Sequence, residues 1–562
     1  MVVREPKVWR AARPRVVRVV HGVKPGIVRV TRAVKPGAAR VAQVVKPGVV
    51  RVTSAVTARS SQLAGSTKKL TTLQFTAGAA TLGLVFSAGA VAAAGPWDSS
   101  GQRKAEHDWA ASREGQGGAD HGRGSGTSSG TAAGAPKPAP SAPSVLAGLG
   151  GVSGAGSAPD SAALAARLDP LLNSSVLGPR RAASVVDVAT GEQLYSRNAD
   201  EALTPASTTK IATAAAALSA VGPDHRIETR TVLDPDSAEV VLVGGGDPTL
   251  TAHEDTGGTS RPSEAEGGGG YASLRSLADE TAAALDKRHL NEITLAYDTS
   301  LYEGPEQHTI GVNGNLALVV PLMVDEARLD GSSSGSADRA PDPAADAAAE
   351  FADLLQDRGV KVRTEGSTTT GKNAKELAAV SSPPLSTLVE RMLTHSDNDI
   401  AEALARQVAL ATGEQPSFEG GAAAIKKELK KLEVPLRGVE FADGSGLSRG
   451  NALTPALLTA LLAESASPAH PELRPVLTGL PVAGFTGTLR GRYPSDATGT
   501  GIVRAKTGTL SNVNTLAGTV VDADGRLLAF AFLATETPLE NTDPAKRLLT
   551  DATSSLATCG CR

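Results

Sequence analysis

The sequence predicts an α+β fold, on three observations. A helix-period segment opens the foldable region near residue 161, another closes the chain near residue 557, and three strand-like runs precede that last helix. Helices bracketing an antiparallel meander fit a sheet with helices packed against it. The composition agrees: of 562 residues 41% are hydrophobic but only 3% aromatic, so the core is built from Val, Leu, Ile and Ala. At roughly 150 residues per domain the length allows about three or four units. Sixty Gly and thirty-four Pro predict long unstructured stretches among them. The two cysteines, Cys559 and Cys561, exclude a disulfide scaffold or a zinc ribbon. They could close a small-ring disulfide or stay as thiols, and no role follows from them.

The chain begins with a basic head, residues 1–69, holding sixteen Lys and Arg against the single acid Glu5. An 11-residue repeat runs through it: VKPG starts at Val23, Val34 and Val45, with Arg29, Arg40 and Arg51 at one offset. Each Pro-Gly breaks a helix, so the head reads as a solvated cationic tail suited to anionic lipid. No aromatic platform is interleaved, and nucleic acid is not an expected partner. Residues 70–97 carry no charge, which is length enough for a membrane span or a signal segment. The positive-inside rule then places the head in the cytoplasm and the rest outside the membrane. Residues 98–160, rich in Gly, Ser, Ala and Pro, read as a tether.

The elements follow in order. Ala162–Leu172 reads as an amphipathic helix, and Ala182–Val188 and Glu192–Arg197 as a hairpin around Ala189-Thr190-Gly191. An Ala-rich helix follows Ser207 to about Leu218, and two alternating runs fill Ile227–Val243. Low-complexity loops cover Asp255–Gly270 and Gly331–Asp346. Helical segments recur at Ala344–Arg358, Leu385–Thr394, Asn398–Ala411 and Ala422–Leu432. Strands at Val503–Thr507, Asn514–Val521 and Arg526–Ala534 lead into a helix over Pro544–Ala557.

Three short motifs carry chemistry. In Ser207-Thr208-Thr209-Lys210 the i, i+3 spacing on a helix puts the Lys210 amine within reach of the Ser207 hydroxyl. A lysine desolvated by Ala-rich surroundings can serve as the base that serine needs. Ser66-Thr67-Lys68-Lys69 has the same spacing in the basic head, so the tetrad alone decides nothing. Ser396-Asp397-Asn398 lies between two helices, where it both caps the second and can turn a hydroxyl and a carboxamide into a cleft. In Lys506-Thr507-Gly508-Thr509, on a strand edge, a cation and two hydroxyls can meet a carboxylate, and Gly508 allows a close backbone approach. His395, beside Ser396, reads as structural or solvent-facing. No His/Cys/Asp cluster has metal-ligand spacing, and neither metal nor cofactor is expected.

Together, in the order Ser-x-x-Lys, Ser-x-Asn, Lys-Thr-Gly, the three form the signature set of penicillin-binding proteins and serine β-lactamases. The 189-residue first interval, Gly244–Leu250 (GGGDPTL), Tyr297–Ser300 (YDTS), Asp443–Arg449 (DGSGLSR) and Thr486–Leu489 (TGTL) resemble one branch of that group. The branch is the D-alanyl-D-alanine carboxypeptidase/endopeptidase family, the class C low-molecular-mass penicillin-binding proteins, and the likeness spans roughly residues 165–557. It implies a β-lactamase/transpeptidase-like domain over 161–225 and 380–558, with a mainly β insertion at 226–379. It also implies catalytic Ser207, Lys210 and Ser396, and substrate-binding Asn398, Lys506, Thr507, Gly508 and Thr509. Ser207 would attack the carbonyl between the last two D-alanines and Lys210 would take its proton. Ser396 would relay a proton to the leaving group, and the N–H groups of Ser207 and Thr509 would form the oxyanion hole. The implied partners are peptidoglycan stem peptides, with β-lactams as inhibitors.

Two other readings stay open: a serine β-lactamase, and a non-catalytic cell-wall binding protein on the same fold. Gly446-Leu447-Ser448-Arg449-Gly450 also fits a nucleophile elbow, but the acid and histidine that fold needs are not laid out after it.

Overall fold

The structure, a computed structural model, describes residues 160–253, 270–311, 313–494 and 496–560. The basic head, residues 70–97, all of the tether but Asp160, and nearly all of the loop expected at 255–270 lie outside the described residues. Among those described, no helix is long and apolar enough to cross a membrane.

The main sheet has five antiparallel strands: β1 (Arg180–Asp187), β2 (Gln193–Arg197), β8 (Arg504–Leu510), β9 (Val513–Val521) and β10 (Leu527–Thr535). Their order is β2-β1-β10-β9-β8, so the first hairpin joins the last meander and β8 is left on an edge. Register runs from Arg180 opposite Thr535 to Asp187 opposite Leu528.

Period-two alternation in β10 explains how both faces are filled. Leu528, Phe530, Phe532 and Ala534 face α1 (Ser161–Leu172) and α10 (Thr542–Ala557), meeting Leu164, Leu168, Leu549 and Leu556. Ala529, Ala531 and Leu533 face the larger helical layer. Small residues on that side let α8 (Pro455–Glu464) lie close to the strands, and α2 (Thr209–Val221) packs on α8. The α2 helix is buried from Thr209 to Leu218, which its alanines permit, and α5 (Leu385–His395), α6 (Asn398–Thr412) and α7 (Phe418–Lys431) complete the layer. A short helix, α9 (Arg474–Thr478), packs on α5.

A second sheet holds β3 (Glu228–Asp234), β4 (Glu239–Val243), β5 (Glu292–Asp298), β6 (Lys361–Ser367) and β7 (Lys375–Ser381), in the order β6-β5-β4-β3-β7. The expected pair over 227–243 is present as the β3–β4 hairpin. The pairs β4–β5 and β5–β6 are parallel and therefore need crossovers. Helices α3 (Leu274–Asp286) and α4 (Pro343–Asp357) supply them, burying Leu277, Leu285, Phe351 and Leu355 against the sheet. The α3 helix was not foreseen, although Leu274, Leu277, Ala278, Thr281 and Leu285 make a regular stripe. Cys559 is fully buried and disulfide-bonded, one of the two alternatives left open above; Cys561 lies outside the described residues.

Candidate active site

Ser207 sits in a single 3-10 turn, Ala206–Thr208, and the α-helix proper begins at Thr209. The tight turn arises because Ala206 has a left-handed backbone, with φ 49. Hydroxyls fix it: Thr209 donates to Ala206 O (2.9 Å), and Thr208 and Thr515 both donate to Pro205 O (2.7 Å each). Two glycines allow its neighbours to close in. A Cβ on Gly446 (φ +85) would stand 2.0 Å from Ala206 O, and one on Gly508 would meet Thr515 Oγ1 at 2.1 Å and Pro205 O at 2.7 Å. Gly508 thus lets the β8 edge lie against the Ser207 turn, a packing reason that the sequence reading did not supply.

One helical turn on, the fully buried Lys210 places its Nζ 3.3 Å from Ser207 Oγ, 2.7 Å from Asn398 Oδ1 and 2.7 Å from the Ser445 carbonyl. Three acceptors match the three protons of an ammonium. A neutral amine would keep the two short bonds and turn its lone pair to the serine hydroxyl. Burial pulls Lys210 down to about 8, although Asp443, Glu402, Asp397 and Asp399 oppose the shift. The base form is therefore accessible at mildly alkaline pH.

The second motif caps two helices at once. Ser396 ends α5 with a left-handed backbone (φ 62), and Asp397 caps α6 by accepting from Ile400 N–H at 3.0 Å. Between them they turn Ser396 Oγ to Lys506 Nζ at 2.8 Å and Asn398 Oδ1 to Lys210. Lys506, on β8, is fully buried and also donates to Thr507 O at 2.9 Å. Burial, with Lys210 as a neighbouring cation, holds its amine well below the ordinary range. Thr507 Oγ1 donates to Thr488 Oγ1 at 3.0 Å, and the exposed Thr509 pairs with Asn514 in the β8–β9 ladder. All eight residues singled out in the sequence therefore lie in or beside one cluster, on α2, the α5–α6 junction and β8.

Several supporting groups were not singled out. Thr213 donates to Gly444 O at 2.6 Å and Glu402 accepts from Ser445 N–H at 2.9 Å, which holds the loop whose carbonyl receives Lys210. Burial tends to raise Asp443, but His308, Ser448, Asn451 and Gly446 donate to it and keep it ionised below its usual range. Ser448, the elbow candidate, lies in that same loop and accepts from Gly450 N–H, while His470 turns to Glu472. The buried trio His308, Glu402 and Asp443 has ligand atoms close enough for a metal. Asp443 is nonetheless saturated by those donors, so the trio reads as the frame of the loop.

Comparison with known sequences settles the family. The profile of the D-Ala-D-Ala carboxypeptidase 3 (S13) family matches residues 164–311 and 324–553. The chain belongs to that family. Among its relatives, a carboxypeptidase of Mycobacterium tuberculosis is 35% identical over 439 residues, 76% of this chain and 90% of the relative. A D-alanyl-D-alanine carboxypeptidase of an Actinomadura species is 31% identical over 425 residues, covering 64% and 78%. The S13 fold is shared with penicillin binding protein 4 from Haemophilus influenzae, at TM-score 0.55 and 22% identity over 71% of this chain and 99% of that one.

Proposed function

We propose that the protein is a serine DD-peptidase that removes the terminal D-alanine from peptidoglycan stem peptides, or opens D-alanine crosslinks, through an acyl-enzyme on Ser207. One observation carries the reading: Lys210 Nζ touches Ser207 Oγ and Asn398 Oδ1 while Lys506 Nζ holds Ser396 Oγ, in one cluster whose lysines are buried and whose other members are half-buried. The Actinomadura relative, named a D-alanyl-D-alanine carboxypeptidase, supports the substrate class.

Lys210 takes the Ser207 proton as the hydroxyl attacks the penultimate carbonyl, and the Ser207 and Thr509 N–H groups receive the developing oxyanion. Asn398 holds the substrate amide, and Lys506 with Thr507 and Thr509 meets the terminal carboxylate. Ser396, polarised by Lys506, passes a proton to the departing D-alanine amine. Water then hydrolyses the ester. A β-lactam presents the same carbonyl and carboxylate and stops at the acyl stage. Slow hydrolysis of that adduct is favoured because the carboxylates around Lys210 are committed elsewhere: Glu402 to backbone N–H groups, Asp443 to His308 and its own loop.

The test is release of D-alanine from a peptide ending in D-Ala-D-Ala. Steady release faster than turnover of a chromogenic β-lactam supports the peptidase. The reverse ranking makes it a β-lactamase, and no release with no adduct leaves a binding protein.

The catalytic part is read as residues 161–225 and 380–558, with 226–379 inserted; the separate hydrophobic cores of the two sheets support this. It is read as standing outside the membrane, because an uncharged stretch and a tether follow the basic head. Protease added to protoplasts then degrades it, whereas survival of the intact chain contradicts that placement.

A further inference from the structure

We propose that Glu326 is a positioning residue for the Ser396–Asn398 turn, its carboxyl locking the turn in place from the segment that follows β5. The proposal rests on the DD-peptidase reading of the pocket.

Residues 325–327 are three consecutive non-glycine residues with left-handed backbone, at φ 50, 55 and 55. Such backbone is sterically disfavoured and persists where its surroundings over-determine it, most often at functional sites. Here the Gly244–Leu250 segment does so: Asp325 N–H donates to Leu250 O (2.7 Å) and Glu326 N–H to Pro248 O (3.0 Å). The turn drives the Glu326 carboxyl inward until it is 1% exposed.

The charges that face it come from every side. Arg328, in the same turn, donates from Nε to Oε2 at 2.6 Å, and Arg391, on the helix that ends at Ser396, donates to Oε1. Arg339 donates to the Glu326 carbonyl and pairs with Asp399 at 2.9 Å. Tyr271 accepts from Arg391 at 2.8 Å. Opposite lies Asp397. Its Oδ1 caps α6, but its Oδ2 is buried with no N–H or O–H donor, and Arg391 Nη2 stands 4.0 Å away. The carboxylates of Glu326, Asp397 and Asp399 each bring an oxygen within 4.8 Å of the other two. Two carboxyls bond only if one is protonated, and a proton on Glu326 gives that orphaned oxygen its donor.

Burial, and then the Asp397 charge, push Glu326 up to about 8. Burial also tends to raise the Asp397 carboxyl, but Arg391 and the Ile400 N–H outweigh it and hold the group below its usual range, ionised. Around neutrality Glu326 is the acid and Asp397 the carboxylate. The neighbouring contacts run the same way: Ala317 N–H donates to Asp399 at 2.9 Å, and Asn398 Nδ2 donates to Asn315 O at 2.8 Å. Each of the three residues after Ser396 is thus gripped by a group from residues 315–339. Loss of the Glu326 proton sets two carboxylates face to face and loosens the turn from which Ser396 and Asn398 act.

The experiment follows the rate of acylation by a fluorescent penicillin between pH 6 and 10. At neutral pH Glu326→Ala is expected to lower the rate about 10- to 100-fold, the effect of a small misplacement, while Glu326→Gln stays within about threefold of wild type. The wild-type rate declines above about 8, and the glutamine variant, which has no proton to lose, does not decline there. If the alanine variant fails to fold, the glutamine profile decides alone. A folded alanine variant with the wild-type rate, a wild type with no alkaline decline, or a glutamine variant that declines like wild type overturns the proposal. A wild type that is never acylated overturns the peptidase reading instead.

Discussion

Lys210→Ala lowers D-alanine release by about six orders of magnitude, the scale seen when one member of a nucleophile–base pair is removed. The reason is the single role of its amine: among the described residues, no other nitrogen base has a hydrogen bond to Ser207 Oγ. Lys210→Arg fares no better, because a guanidinium keeps its proton at any working pH. The wild-type rate rises with pH until Lys210 is deprotonated at about 8, where it meets the decline attributed above to Glu326. A bell near pH 8 results, and its ascending limb disappears from the residual activity of the alanine variant. Stability shares the same window. The amine loses its proton at about 8 in the folded chain and at its ordinary 10.5 when unfolded. The unfolded chain therefore binds more protons between these values, and the wild type gains stability relative to Lys210→Ala as pH rises across them. A calorimetric series on both proteins reads this directly.

Ser207→Ala produces a loss of the same order, and the double variant with Lys210→Ala is no worse than either single one, since the two side chains act as a unit. What survives is binding. Lys506, Thr507 and Thr509 are intact in Ser207→Ala, so the variant still takes up a stem peptide or penicillin reversibly. Kinetics of D-alanine release measure the first expectation, and equilibrium dialysis with labelled penicillin measures the second. A Ser207→Ala protein that keeps even a tenth of the wild-type rate assigns the nucleophile to another residue.

The proposed catalytic set was legible in the sequence because each motif is contiguous: Ser207 with Lys210, Ser396 with Asn398, and Lys506 with Thr509 are joined by backbone. Their partners were not legible, because they come from far along the chain. Ser445 contributes a carbonyl, which no residue type advertises, and Glu326 reaches the α5–α6 junction from 70 residues upstream only through its left-handed turn. The hairpin β1–β2 and the meander β8–β10 were legible through alternation and turn residues. The α8 helix was missed for a physical reason: buried between sheet and helical layer, it is apolar nearly all round and shows no stripe. Its Thr454 cap and Pro455 were the remaining signals. The second sheet was read only through β3 and β4, since parallel pairing of β4, β5 and β6 depends on crossovers that local pattern does not reveal.

The account stands or falls on Ser207 becoming an ester within a cluster assembled from three separated stretches of chain. Peptide mapping by mass spectrometry, after brief exposure of the protein to penicillin, tests this most directly. The predicted result is one added penicilloyl group per chain, carried by the peptide containing Ser207 and absent from Ser207→Ala. An adduct located on any other residue, or an unmodified chain at saturating penicillin, contradicts it.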